Sequence, residues 1–241
     1  MKKLLLILLL ALPLSVQGKL YAVLIGISEY EQSAINLRYC HRDANEMYEL
    51  LKEHTEPERI KLLTNGDASH DNIVYNTEQL FQQTQPEDVV IFFFAGHGNK
   101  NGFFTYDKML YFGELQDIFK QTSAKRKIIF ADACFSGTLR QSGNRSASNK
   151  ADMGKNVLLF LSSRSDQKSQ EFSILKDGVF TYFLLAALRG EADSNNDGYI
   201  TAKELFYFVN PKVKEESNGE QIPVMWGKFD ENMVILKLND K

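Results

Sequence analysis

The sequence predicts an α/β fold in which helices cover both faces of a mostly parallel β-sheet. Short apolar runs rich in branched and aromatic residues alternate along the chain with longer segments of helical periodicity. The runs at 88–94 and 127–131 are almost wholly apolar, which is typical of strands buried on both faces. With 241 residues, 44% of them hydrophobic, the chain is long enough for one such domain with a sizeable core.

The predicted elements follow from local patterns of apolar and turn-forming residues. In chain order they are a strand Leu20–Ile27, a helix Asn36–His54, a strand Arg59–Thr64, a helix Asp71–Thr84, a strand Asp88–Phe94, a hairpin Gly102–Phe112, a helix Gly113–Thr122, strands Lys127–Ala131 and Asn156–Leu161, a helix Gly178–Arg189, a helix ending at Phe208 and a strand Glu231–Leu238. One face of the first helix can hold Leu37, Ala44, Met47, Leu50 and Leu51. Asp71 is a plausible cap for the second helix.

The first 18 residues have the pattern of a secretory signal peptide. Lys2 and Lys3 precede the apolar run Leu4–Leu12, Pro13 ends it, and small or polar residues lead to a cleavage position after Gly18. The run is shorter than the ~20 residues that span a bilayer. We therefore expect a secreted or periplasmic protein with no stable membrane span once the signal is removed, the alternative being an uncleaved anchor.

Composition excludes several classes of protein. Lys and Arg number 28 against 31 for Asp and Glu, so no basic excess supports nucleic-acid binding. The only cysteines, Cys40 and Cys134, are too few for a disulfide scaffold or for a Cys-rich zinc or iron–sulfur site. A single Cys40–Cys134 disulfide remains an alternative for a secreted chain.

Two reactive side chains follow two of the buried strands. The strand ending at Phe94 leads into FAGHG with His97, and the strand ending at Ala131 leads into DACFSG with Cys134. Sites in open parallel sheets lie beyond the carboxyl ends of strands, so both side chains are expected at one edge. A thiolate beside an imidazole is the minimum equipment for a cysteine nucleophile. Taken singly, each residue could instead be a buried inert thiol or a core histidine.

These two motifs resemble those of the caspase-like peptidases, and among them the metacaspases most closely. The resemblance runs from about Leu20 to about Phe208 and includes YAVLIGI, LRYCHRD, LSSRSDQ and GVFT. It implies a caspase-like three-layer sandwich over residues 19–241. The large part of this domain would cover residues 19–137, approximately. A polar linker would cover 138–155, and the small part would cover 156–241.

The resemblance also implies roles for the strand-end residues. His97 would be the general base and acid, and Cys134 the nucleophile. The backbone N–H groups of Gly98 and Cys134 would form the oxyanion hole. No cofactor is expected for catalysis, and no side chain that orients His97 is evident.

Substrate choice is expected to depend on Asp132. Caspases that cut after aspartate carry Gln-Ala-Cys at the nucleophile, whereas here Asp132 stands two residues before Cys134. In metacaspases the matching aspartate forms the floor of the S1 pocket, which binds the substrate side chain before the scissile bond. A second aspartate and a cysteine line that pocket, and here Asp43 and Cys40 match them. The resemblance therefore implies a peptide or protein substrate with Arg or Lys before the scissile bond (P1). Metacaspases often have a serine two residues before the catalytic histidine, where this chain has Ala95. Without the resemblance, Asp43 would be interpreted as a solvated carboxylate on a helix face.

The linker Thr138–Lys155 is polar and carries four basic residues, Arg140, Arg145, Lys150 and Lys155. Caspase-like enzymes are often cut between their two parts, so an enzyme specific for basic residues could cut itself here. A flexible surface loop without processing is the alternative.

Residues 193–204 fit the twelve-residue EF-hand template. The predicted calcium ligands are Asp193, Asn195, Asp197, the Tyr199 carbonyl and Glu204. Because sensor EF-hands work in pairs and one copy is present, a structural calcium ion is expected. The alternative is a metal-free Asp/Asn turn that caps the next helix.

Together these features predict a secreted or periplasmic cysteine endopeptidase that cleaves after Arg or Lys through a Cys–His dyad. One alternative is a caspase-like domain without catalysis that acts as a binding module. Another is a relative similar to legumain or gingipain with a different P1 choice, and a third is a calcium-binding structural module.

Overall fold

The computed structural model describes residues 18–99, 101–133, 156–162 and 178–239. Cys134, the linker 138–155 and the predicted signal peptide other than Gly18 lie outside these residues. The strands are β1 (Leu20–Gly26), β2 (Ile60–Thr64), β3 (Val89–Ala95), β4 (Gly98–Asn99), β5 (Gly102–Phe104), β6 (Met109–Tyr111), β7 (Arg126–Asp132), β8 (Val157–Leu161), β9 (Tyr199–Thr201), β10 (Val224–Gly227) and β11 (Val234–Lys237). The α-helices are α1 (Cys40–Leu51), α2 (His70–Phe81), α3 (Phe112–Gln121), α4 (Val179–Ala186) and α5 (Ala202–Glu216).

The main sheet has six strands in the order β10-β8-β7-β3-β1-β2. All neighbours pair in parallel except β10, which pairs antiparallel with β8. A small antiparallel sheet, β4-β5-β6, follows β3, and β9 pairs antiparallel with β11. The parallel strands bring their carboxyl ends to one edge of the sheet.

Both faces of this sheet are buried, as the apolar runs predict. Along β3, Ile91 and Phe93 pack into one apolar cluster, while Phe92 and Phe94 pack into the other. Helices α1, α4 and α5 cover the first face, and α2 and α3 cover the second. The predicted three-layer α/β sandwich is confirmed.

The first predicted helix begins later than its periodicity indicates. Asn36, its predicted first residue, is extended and follows a 3₁₀ turn at Ser33–Ile35, and α1 starts only at Cys40. Asn36 uses its side chain to accept a hydrogen bond from the Tyr30 N–H, at 2.8 Å. The loop is therefore shaped by local polar contacts that helical periodicity does not detect.

Helix α5 and strand β10 are among the later elements that differ from the prediction. Helix α5 continues past Phe208 to Glu216 with Pro211 inside it, because its apolar face packs on the core. The edge strand β10 was not predicted, since its residues are only half-buried and follow a polar stretch. In the described part of the chain, no helix is long and apolar enough to cross a membrane.

Candidate active site

The reactive strand ends lie side by side at the carboxyl edge of the sheet. Ala95 at the end of β3 is in register with Asp132 at the end of β7, and the Gly96 N–H donates to the Asp132 carbonyl at 3.1 Å. His97 follows Ala95 by two residues, and Cys134 follows Asp132 by the same step along the chain. The described chain stops at Ala133, so Cys134 itself lies outside it.

The imidazole of His97 is oriented by a backbone carbonyl. Nε2 lies 2.7 Å from the carbonyl oxygen of Ile35 in the 3₁₀ turn after β1. Because a carbonyl oxygen only accepts hydrogen bonds, Nε2 carries the hydrogen. In the neutral ring, Nδ1 is then the nitrogen that can take a proton. The Ile35 carbonyl thus orients the His97 ring, a role for which the sequence indicated no side chain.

The peptide group between His97 and Gly98 has a defined orientation. The His97 carbonyl accepts a hydrogen bond from the Phe104 N–H of β5 at 2.9 Å. Since a trans peptide is planar, the Gly98 N–H points in the direction opposite to that carbonyl. The predicted oxyanion donor on Gly98 is therefore directed away from β5.

Asp132 is a buried carboxylate held by two hydroxyl groups. The residue is 2% exposed. Ser162, directly after β8, donates from Oγ to Oδ1 at 2.8 Å, and Thr181 of α4 donates from Oγ1 to Oδ2 at 3.1 Å. These contacts fix the carboxylate at the junction of β7, β8 and α4.

Asp43 and Asp132 converge on Gly178, the residue before α4. The Gly178 N–H donates to Oδ1 of Asp43 at 3.2 Å. A Cβ on Gly178 would lie 2.1 Å from Oδ2 of Asp132 and 3.4 Å from Oδ2 of Asp43, so the close approach requires glycine. Asp43, also 2% exposed, is thus not a solvated helix carboxylate. The two predicted pocket residues come together although 89 positions separate them in the sequence.

Cys40, the third predicted pocket residue, is the first residue of α1. It is half-buried at the margin of the apolar cluster under α1, one helical turn before Asp43. It therefore lies on the same helix end as Asp43, as its spacing indicates.

Sequence reasoning missed several residues that hold the site. Tyr30 and Ile35 contact His97, and Ser162 and Thr181 contact Asp132. Ser162 and Thr181 stand in the segments that carry the family resemblance, which was a usable signal. Ile35 acts through its backbone carbonyl, so the identity of its side chain could not have indicated this contact.

A family model described as the caspase domain matches residues 19–233, which is most of the chain. The chain belongs to the caspase-domain family. The family consists of cysteine peptidases, so this protein carries a caspase-type peptidase domain. A comparison with curated proteins finds no match.

Solved structures share the fold of this caspase domain. Caspase-1 from Spodoptera frugiperda aligns with a TM-score of 0.68 and 16% identity, covering 93% of this chain and 92% of its own. Protein GSU0716 from Geobacter sulfurreducens aligns with a TM-score of 0.66 and 15% identity, covering 92% and 100%. At such identities the likeness extends to the fold alone.

The EF-hand-like loop of this caspase domain is curled by its own side chains. Asp193 accepts from the N–H groups of Asp197 and Gly198 at 3.1 and 3.0 Å, and Asn195 accepts from Asp197 at 3.0 Å. Gly198 has a φ of +80°, as the template requires at its sharp turn. The strand β9 in the loop pairs with β11. In a sensor protein the corresponding strand pairs with the loop of a second EF-hand.

Glu204, the predicted closing ligand, caps helix α5. It forms a capping box with Thr201, and Ser194 donates to its Oε1 at 3.1 Å. Burial acts to raise the pKa of Glu204, but the hydrogen bonds from Thr201 and Ser194 outweigh it and hold the pKa below its usual range. Among the residues described, no three His, Cys, Asp or Glu side chains converge as a metal cluster. The side chains of Asp193, Asn195, Asp197 and Glu204 offer the oxygen atoms that calcium prefers, and in this structure Glu204 is hydrogen-bonded as part of the cap of α5.

Proposed function

We propose that this caspase-domain protein is a secreted or periplasmic cysteine endopeptidase that cleaves after Arg or Lys. His97 and Cys134 would form the catalytic dyad, and Asp43 with Asp132 would bind the P1 side chain. The observation that carries the proposal is the convergence of two buried carboxylates on Gly178, at the strand edge that bears His97.

The charge of this pair supports a basic substrate. Two buried carboxylates repel each other, and a cation between them relieves the repulsion. A guanidinium can donate to both at once in planar geometry, so Arg should be preferred to Lys. An acidic P1 side chain would add a third negative charge and is disfavoured.

The proposed reaction uses groups of this chain alone. Cys134 attacks the scissile carbonyl carbon as a thiolate, its proton having passed to Nδ1 of His97. The N–H groups of Gly98 and Cys134 stabilise the oxyanion. His97 then gives its proton to the leaving amine, and water hydrolyses the thioester to release the acid and restore the thiol.

Fluorogenic peptides that differ only at P1 test this function. The purified protein, with and without calcium, should cleave the Arg peptide fastest, then Lys, with little cleavage after Asp, Asn or Gln. Preference for Asn or Asp would support a legumain-like or caspase-like choice instead. No cleavage, together with no labelling of Cys134 by a thiol-directed probe, would support a binding module without catalysis.

We also propose that the loop 193–204 binds a structural calcium ion. Asp193, Asn195, Asp197, the Tyr199 carbonyl and Glu204 would hold it, all through oxygen atoms. The signal-peptide pattern supports a location where calcium reaches the roughly millimolar level that extracellular modules bind. The ion would join the end of α4 to the start of α5 and would take no part in the chemistry.

Calcium should raise the melting temperature of the wild type, and Glu204→Ala should abolish the rise. At a hundredfold excess over Kd a ligand stabilises by about 2.7 kcal/mol, which is roughly 5–10 °C for a domain of this size. Differential scanning calorimetry with calcium and with EDTA measures it.

Three variants separate calcium binding from helix capping. Glu204→Ala should also melt lower in EDTA, because the capping box is lost. Glu204→Gln keeps a cap acceptor and should lose mainly the calcium response. Glu215→Ala, an exposed position on α5, should keep the full response. A wild type that does not respond to calcium would support the metal-free capped turn.

A further inference from the structure

Tyr30 contacts both the backbone and the ring of His97. Its hydroxyl accepts a hydrogen bond from the His97 backbone N–H at 2.8 Å. Its ring lies against the imidazole, with centroids 5.1 Å apart and planes inclined by 40°. Tyr30 is 5% exposed, so this contact is sheltered from water.

The loop that carries Tyr30 is itself braced. The Tyr30 N–H donates to the Asn36 side chain at 2.8 Å. The N–H groups of Ser28 and Glu29 donate to the side chain of Asn65, at 2.9 and 3.1 Å. Asn65 follows β2 and has a φ of +47°, a conformation that asparagine tolerates better than most residues. Tyr30 is therefore presented to His97 from a fixed loop.

Both backbone groups and the ring of His97 are then constrained. Tyr30 binds its N–H, Phe104 binds its carbonyl, and Ile35 binds its Nε2. The Tyr30 contact holds the peptide between Gly96 and His97, and the Phe104 contact holds the next peptide, whose N–H belongs to Gly98. A shift of the peptide that Tyr30 holds would move the Cα of His97 and with it the imidazole.

We propose that Tyr30 is a positioning residue, whose hydroxyl holds the His97 backbone and so sets the orientation of the His97 imidazole. This role rests on the proposed peptidase function. It goes beyond it by assigning a dependence of catalysis on a side chain that acts through His97. The hydroxyl, rather than the ring, carries the role.

The variant Tyr30→Phe removes the hydroxyl and keeps the ring. The His97 N–H then loses its acceptor, and His97 should sample other orientations. We expect kcat for the Arg peptide to fall about tenfold to a hundredfold. KM should stay within about twofold, because the Asp43 and Asp132 contacts are unaffected. Tyr21→Phe, a buried tyrosine of β1 in the same apolar cluster, is the matched control.

A second readout does not depend on catalysis. Nitrogen-15 spectra of the histidine rings distinguish a hydrogen on Nε2 from one on Nδ1. His97 should be one tautomer, with the hydrogen on Nε2, in the wild type and in Tyr21→Phe. It should become a mixture in Tyr30→Phe and, to a lesser degree, in Asn36→Ala, which loosens the loop without altering Tyr30.

The outcomes separate this inference from the function on which it rests. Unchanged kcat with an unchanged tautomer in Tyr30→Phe would overturn the positioning role. A folded wild type that cleaves no peptide would contradict the peptidase function, and the tautomer spectra would then decide the positioning role alone. Equal loss of kcat in Tyr21→Phe would show a general packing effect and would also overturn it.

Discussion

Replacing either Cys134 or His97 with alanine should abolish peptide cleavage while the protein stays folded. Loss of the general acid and base costs roughly 10²–10⁴ in rate. Loss of the nucleophile removes the covalent route altogether, so the two side chains act as one unit and their effects should not add. Initial rates on the Arg peptide for both single variants and the double variant measure this.

A matched histidine replacement controls for the loss of an imidazole. His54 lies three residues after α1, at the opposite edge of the sheet from the candidate site. His54→Ala should keep near-wild-type kcat. Cleavage by a folded Cys134→Ala protein at the wild-type rate would contradict the assignment of the nucleophile.

Replacing Asp132 with asparagine should sharply reduce cleavage after Arg. A buried charge-assisted hydrogen bond is worth roughly 1.5–3 kcal/mol, which corresponds to about 10- to 150-fold in kcat/KM. The ratio of Arg to Gln substrates should fall by this factor, because a neutral P1 side chain does not use the charge. Asp43→Asn should act in the same direction.

Asp88→Asn is the matched control for this pocket. Asp88 is a buried carboxylate beside the start of β3, where it accepts from the N–H groups of Lys19 and Gln85 at 2.7 and 2.8 Å. Its replacement should leave the P1 ratio unchanged even if the protein melts lower. An unchanged ratio in Asp132→Asn would contradict the pocket assignment.

Gly178→Ala tests the same pocket through the backbone. The new Cβ would lie 2.1 Å from Oδ2 of Asp132, so the carboxylate or helix α4 must shift. The Arg-to-Gln ratio should again fall, although the charge is retained. Normal selectivity in this variant would mean that substrate binding itself moves Gly178 away from Asp132.

Much of the fold could be predicted because its signals are local. The run Val89–Ala95 is apolar on both faces, and this alone indicates a strand between two helical layers. Helix boundaries were less predictable. The N–H of His70, the first residue of α2, is bound by Asp107 from a distant loop rather than by Asp71. Such a cap depends on the folded arrangement.

By itself, the sequence determined which chemical groups stand at the strand ends. His97, Asp132 and Cys134 follow apolar runs that are typical of buried strands, and parallel strands bring their ends to one edge. Only the tertiary structure decided what holds these groups. The Ile35 carbonyl is a backbone group that every residue possesses, and Gly178 reaches Asp43 across 135 positions of the chain. Contacts of these two kinds leave no periodic or spacing pattern, because chain folding creates them.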